Sequence, residues 1–198
     1  MKRLTLQVGT FEVNSSILFS DTHTWIVDPG AEADRLIAEL EKAARTPDAI
    51  LLTHAHFDHI GGIPALQRKF PDLPVYVHPK DVPAFTHPLN QMPPDYVLIG
   101  EPRNVRDART WTDATVIETP GHTPGGVCYL FKEEQLLFSG DTLFAGSIGR
   151  TDLPGGDMMT LMSSLETLKE LPKETKVIPG HGPFTTIARE LAGNPFLQ

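Results

Sequence analysis

The stretch Thr53-His54-Ala55-His56-Phe57-Asp58-His59 packs four residues of metal-ligand type into six positions, directly after the apolar run Ala49-Ile50-Leu51-Leu52 and before Ile60-Gly61-Gly62. Such a run restricts the fold severely. A buried strand has to end just ahead of it, and a helix has to begin at its far side. Ligands alternating with spacers leave the backbone in two directions, so they suit two ions better than one crowded site. Imidazoles and carboxylates together favour zinc, and also accept iron or manganese. The chain has one cysteine, Cys128, so the cysteine-rich set of a structural zinc knot is not available. Three more ligand-type residues follow strand-like runs: His122 in Pro120-Gly121-His122-Thr123-Pro124-Gly125, Asp141 in Ser139-Gly140-Asp141-Thr142, and His181 in Pro179-Gly180-His181-Gly182. A glycine precedes each, which allows a tight loop from which the ligand projects.

Around these motifs the apolar pattern alternates between strand and helix. Leu4–Val8, Ile17–Phe19 and Trp25–Val27 read as antiparallel strands. Ala33, Leu36, Ile37, Leu40 and Ala44 then fall on one helical face until Thr46-Pro47 stops it. The proline-rich middle, 71–104, predicts irregular structure with a strand at Val75–Val77 and a helical turn after Pro79. Thr115–Ile117, Val127–Phe131 and Leu136–Phe138 predict a second set of strands, followed by a helix over 157–171 and a strand at Lys176–Ile178. The order hairpin, aspartate, helix, strand, histidine thus occurs twice, ending once at His54 and once at His181. A duplicated unit of this kind would bring His54, Asp141 and His181 to one edge. At 198 residues with 40% hydrophobic content, the chain predicts a single domain, 1–198, of α/β class with helices on sheets.

The formal net charge of -8, with the 17 Lys and Arg spread thinly, disfavours nucleic acid as a partner. No run of about 18 apolar residues suggests a membrane span. Met1-Lys2-Arg3-Leu4 enters a strand pattern directly, and a lone cysteine forms no internal disulfide, so the expected location is cytoplasmic.

The His-x-His-x-Asp-His signature with a later His, Asp and His resembles the metallo-β-lactamase superfamily, in unbroken motif order from Gly9 to Pro183. The resemblance implies a four-layer αββα fold, two mixed β-sheets packed face to face with helices outside. It also implies two divalent ions, zinc first with iron or manganese as alternatives. One would be held by His54, His56 and His122, the other by Asp58, His59 and His181, with Asp141 bridging. Asp141 stands where true lactamases of the superfamily carry another residue, and His56 where the flavodiiron branch has Glu, so both branches fit poorly. The loops Gly121–Gly125 and Gly140–Phe144 are similar to those of glyoxalase II, and the 17 residues after His181 resemble its short single-domain bacterial form.

That branch implies hydrolysis of a small-molecule thioester, S-lactoylglutathione or a related acyl-glutathione, by a metal-bridging hydroxide. Asp58 would orient the nucleophile, and the thiolate leaves without a separate general acid. The stretch Gly149-Arg150-Thr151-Asp152 resembles persulfide dioxygenases instead, which implies one iron acting on glutathione persulfide.

Several other residues have competing readings. Asp28, in Asp28-Pro29-Gly30, either accepts the second ring proton of a ligand histidine or only makes a turn. Arg150 either binds a substrate carboxylate or braces its loop through Asp152. His23, His78 and His87 read as loop residues, Cys128 as a small buried hydrophobe. Met158, Leu161, Met162, Leu165 and Leu168 read as a core-facing helix stripe, with Asp157 as its N-cap. The sequence leaves the oligomeric state open.

Overall fold

Alternating apolar runs separated by proline, glycine and aspartate turns produce two mixed sheets, each in its own part of the chain. The computed structural model describes residues 1–198, which divide into two compact units, Met1–Ala108 and Arg109–Gln198.

The first unit contains β1 (Lys2–Val8), β2 (Val13–Phe19), β3 (Thr24–Val27), β4 (Ala49–Leu51), β5 (Val75–Val77) and β6 (Val105–Asp107), adjacent in that order. The first three strands pair antiparallel and the last three join in parallel. Between β3 and β4 the chain crosses over through α1 (Ala33–Lys42), as a parallel connection requires. Its face Ala33, Leu36, Leu40 is buried against Ile26, Ile50, Leu52 and the helix α3 (Ile63–Lys69), which follows the short α2 (Phe57–Ile60). α1 ends at Lys42, short of Ala44, because Ala44 turns left-handed at φ 51°.

The second unit contains β7 (Thr115–Glu118), β8 (Val127–Phe131), β9 (Leu136–Gly140), the hairpin β10 (Leu143–Phe144) and β11 (Ser147–Ile148), α4 (Met158–Lys169), β12 (Lys176–Pro179), β13 (Thr185–Thr186) and α5 (Ile187–Gly193). Its sheet runs β13-β12-β9-β8-β7, with β9 and β12 parallel and joined through α4. Both units therefore contain an antiparallel hairpin, a crossover helix and a parallel strand, which is the repeated order read in the sequence. Beyond the shared order, the first sheet adds the parallel β5 and β6 and the second the antiparallel β13, and the register differs as well. In the second unit Ile178 pairs Phe138 but Pro179 pairs Gly140, so Ser139 is an extra residue, a bulge just ahead of Asp141.

Asp157 caps α4, its carboxylate accepting from the backbone N–H of Thr160 at 2.7 Å. Leu161, Leu165 and Leu168 of that helix are fully buried, whereas Met158 is 44% exposed. Met158 is the first helical residue and projects beyond the part of α4 that covers the core; the stripe begins at Leu161. No helix is long and apolar enough to cross a membrane.

Candidate metal centre

In the first unit the chain leaves the sheet after Leu52, whose N–H makes the last ladder bond, to the carbonyl of Tyr76. From Thr53 to His56 it is neither strand nor helix, and α2 begins at Phe57. This irregular passage carries His54 and His56, and α2 carries Asp58 and His59. His54, Asp58 and His59 are buried, and His56 is half-buried. The His54 ring centroid lies 4.8 Å from that of His56 and 4.1 Å from that of His59. Ligand-type atoms of His54 and His56, of His54 and His59, and of Asp58 and His59 lie within 4.8 Å pairwise.

Asp28, 3% exposed, sits behind this group at the end of β3. Its Oδ1 accepts from the Thr53 N–H at 2.8 Å and its Oδ2 from the Thr53 hydroxyl at 2.7 Å. The same Oδ2 lies 3.1 Å from His59 Nδ1. These contacts determine which ring nitrogen carries a proton. The Thr53 hydroxyl has one proton, given to Asp28, so it accepts from His54 Nδ1 at 3.1 Å. At His59, Nδ1 faces a carboxylate oxygen, which only accepts. His54 then presents an unprotonated Nε2, the form that ligates a metal, and the charge of Asp28 favours the same tautomer at His59.

Beside the loop, Phe57 packs edge-on to Phe11, with centroids 5.7 Å apart, and lies 5.1 Å from the Tyr96 ring. Burial, reinforced by the charge of Asp58, raises the Tyr96 phenol above its ordinary range and keeps it protonated.

In the second unit, His122 Nε2 and His181 Nε2 each lie 3.5 Å from Asp141 Oδ2. His122 Nδ1 is 2.7 Å from the carbonyl oxygen of Arg150, an acceptor only, so Nδ1 holds the proton and Nε2 is left for ligation. Gly149 makes this approach feasible: a Cβ there would stand 1.8 Å from the Asp141 carbonyl oxygen. The Arg150 side chain turns outward and forms a two-pronged ion pair with Asp152, 2.7 Å on each prong, which holds the Asp152 carboxyl down to about 2. Arg150 thus braces its own loop, while its backbone positions His122, a role that its residue type did not reveal.

The remaining histidines belong to none of the clustered ligand-type groups. His23 stacks on Trp25, His78 caps the 3₁₀ helix Pro79–Thr86, and His87 Nδ1 accepts from the Leu89 N–H. Cys128 is buried and its thiol reaches the Ser139 carbonyl at 3.7 Å. The sequence reading did not single out Asp81 and Asn90, whose side chains bond the backbone of Ala55 and Phe57. No spacing pattern marks them.

The donor set fits divalent metal ions. Imidazoles with Nε2 unprotonated and carboxylates, with no thiolate among them, match zinc, iron or manganese. Asp28→Asn keeps a residue tolerant of φ 46° but turns an amide N–H₂ towards Thr53 Oγ1 or His59 Nδ1. The expected result is a loss of metal affinity of about 10- to 100-fold, measured by competition with a chromogenic chelator.

The metallo-beta-lactamase superfamily model matches residues 8–181. A "Probable metallo-hydrolase YqgX" of Bacillus subtilis is 39% identical over 100% of this chain and 98% of its own length. The "Hydroxyacylglutathione hydrolase GloC" of Haemophilus influenzae is 35% identical, covering 98% of this chain and 96% of its own. Among solved structures, BLEG-1 B3 metallo-beta-lactamase superposes with a TM-score of 0.89 at 39% identity, over 100% of both chains. TTHA1623 in a di-iron-bound form gives 0.89 at 39% identity, over 98% of this chain and 100% of that one. The two mixed sheets and five helices are those of the metallo-β-lactamase fold. With this fold, the matching model and relatives alike over nearly their whole length, the chain belongs to the metallo-β-lactamase superfamily.

Proposed function

We propose that the chain, as a single catalytic domain spanning 1–198, hydrolyses a small thioester in the cytoplasm, with S-lactoylglutathione or a related acyl-glutathione as substrate. The observation that carries this reading is the donor set, in which the Nδ1 atoms of His54, His59 and His122 face the Thr53 hydroxyl, the Asp28 carboxylate and the Arg150 carbonyl, which favours Nε2 as the ligating atom. Similarity to GloC supports the choice of a glutathione thioester. In this reading His54, His56 and His122 hold one divalent ion, Asp58, His59 and His181 hold a second, and Asp141 serves both; zinc is the first candidate. The ions, when bound, lower the pKa of a coordinated water from about 15.7 towards neutrality and polarise the substrate carbonyl. Asp58 accepts the hydrogen bond of the attacking water and so fixes its direction. Asp28 and the Arg150 carbonyl keep His59 and His122 in the ligating tautomer. The leaving thiolate is stable near neutral pH, so its departure needs no further acid from the chain. Arg150 is proposed to meet a substrate carboxylate only on release from Asp152, since both its prongs are engaged.

A second reading follows from Gly149-Arg150-Thr151-Asp152, the stretch similar to persulfide dioxygenases: one iron, with dioxygen and a water converting the outer sulfur of glutathione persulfide to sulfite as its S–S bond breaks and glutathione is released as the thiol. The experiment is metal content of protein purified without added metal, together with thiol release from S-lactoylglutathione, oxygen uptake on glutathione persulfide, and turnover of a chromogenic β-lactam. About two metals per chain with thiol release is expected. One iron with oxygen uptake moves the assignment to the dioxygenase, and β-lactam turnover without thiol release removes the thioester.

A further inference from the structure

The passage between the last ladder bond at Leu52 and the first turn of α2 has no regular structure, yet most of it is buried. Buried backbone groups outside helices and sheets need partners, and here they find them in side chains. The Thr53 N–H is taken by Asp28. The next two spacer residues, Ala55 and Phe57, are held from a segment far along the chain. Asp81 Oδ2 accepts from the Ala55 N–H at 3.2 Å, Asn90 Nδ2 donates to the Ala55 carbonyl at 2.8 Å, and Asn90 Oδ1 accepts from the Phe57 N–H at 3.0 Å. The second Asn90 amide hydrogen goes to the Ala84 carbonyl at 2.9 Å.

Asn90 is 8% exposed and Asp81 2%. The Asn90 amide thus uses one acceptor and both donors, and the reversed orientation would set N–H₂ against N–H and oxygen against two carbonyls. The amide has one workable orientation, and it grips the spacers on both sides of His56.

We infer that Asn90 and Asp81 are positioning residues that aim His54, His56 and Asp58 by clamping the backbone of Ala55 and Phe57. The inference rests on the metal-site reading above and deepens it. It also accounts for the proline-rich middle segment, in which the 3₁₀ helix Pro79–Thr86 and the turn closed by the Asn90 N–H on the His87 carbonyl deliver the two side chains to the loop. Both side chains are buried and bonded to backbone. They act on the directions of the ligands, so their loss weakens metal binding and lowers kcat, with KM little changed.

Gln67 is the natural control, being equally buried in the same unit. It donates to the carbonyls of Leu73 and Arg103 and accepts from the Arg103 N–H, all outside the ligand loop. The experiment compares Asn90→Ala, Asp81→Ala and Gln67→Ala in the full chain. Zinc affinity is measured by competition with a chromogenic chelator, and the visible spectrum of the cobalt-substituted protein is recorded.

The two clamp variants are expected to bind zinc about 10- to 100-fold more weakly, the range for residues that orient ligands, with an altered cobalt spectrum. Gln67→Ala should stay within about twofold of the parent with an unchanged spectrum. If Asn90→Ala does not fold, Asp81→Ala carries the comparison. Equal weakening in all three variants, or parent affinity in the clamp variants, overturns the inference and leaves the metal-site reading standing. A parent chain that binds neither zinc nor cobalt overturns that reading, and this inference with it.

Discussion

Asp58→Asn is expected to lower the rate of thiol release by about 10²- to 10⁴-fold, the range for removing a positioned proton acceptor, in a chain that still folds. Asp58 lies in the first turn of α2, 8% exposed, with Oδ2 3.9 Å from His59 Nε2. Asparagine matches its shape, so the packing around it is kept. The negative charge is lost, however, and one of the two acceptors becomes an N–H₂ donor that can neither ligate a cation nor receive a proton from water. Steady-state kinetics with a chromogenic thiol reagent, with circular dichroism as the check on folding, measures this. A variant that hydrolyses S-lactoylglutathione at the parent rate would remove Asp58 from the chemistry, whatever its effect on metal content.

Gly30→Ala should act through the backbone and reach the same loop. A Cβ at Gly30 would stand 1.8 Å from the carbonyl oxygen of Asp58, and its N–H is already bound by the Asp28 carbonyl at 2.8 Å and the Ser15 hydroxyl at 3.2 Å. No flexible side chain lies in between to give way; either the Asp28-Pro29-Gly30 turn or α2 must move. Overpacking of this kind costs about 1–3 kcal/mol, occasionally more. The expected result is a clearly lower urea midpoint together with reduced metal retention, since the displaced group belongs to a proposed ligand. Gly193→Ala, at the end of α5 where an added Cβ meets nothing within 4 Å, should leave the midpoint and metal content close to the parent's. An unchanged midpoint in Gly30→Ala would mean that the close approach is not what holds the loop.

Strands of five residues with a continuous apolar run were legible: Val127–Phe131 ends where the pattern ends. So was Val75–Val77, bracketed by proline and histidine. The two-residue strands β10, β11 and β13 were not, because two residues cannot show a period of two. α5 went unread as well, although Thr186 caps it by accepting from the Arg189 N–H. Ligand-type residues stood out because imidazole and carboxylate at short spacing are rare without a purpose. Asp81 and Asn90 did not, since they bond backbone groups 26 and 35 positions away, and a backbone amide has no identity in a sequence. The Arg150 side chain was legible as a brace to Asp152, but the contact of its carbonyl with His122 was not, since any residue would supply that carbonyl.

The bulge at Ser139 gives the two repeated halves different occupations. In the first unit, Asp28 follows the paired Val27 and Leu51 directly and bonds back to Thr53 on the neighbouring segment. In the second, the extra residue moves everything after it by one step, and Asp141 emerges 3.5 Å from two imidazoles instead. A strand slipped by one residue exchanges its faces, so the bulge separates a carboxylate that bonds the neighbouring backbone from one that faces imidazoles, the one proposed to hold metal. The same order of elements thus presents one aspartate to a backbone N–H and a threonine hydroxyl, and the other to two histidines.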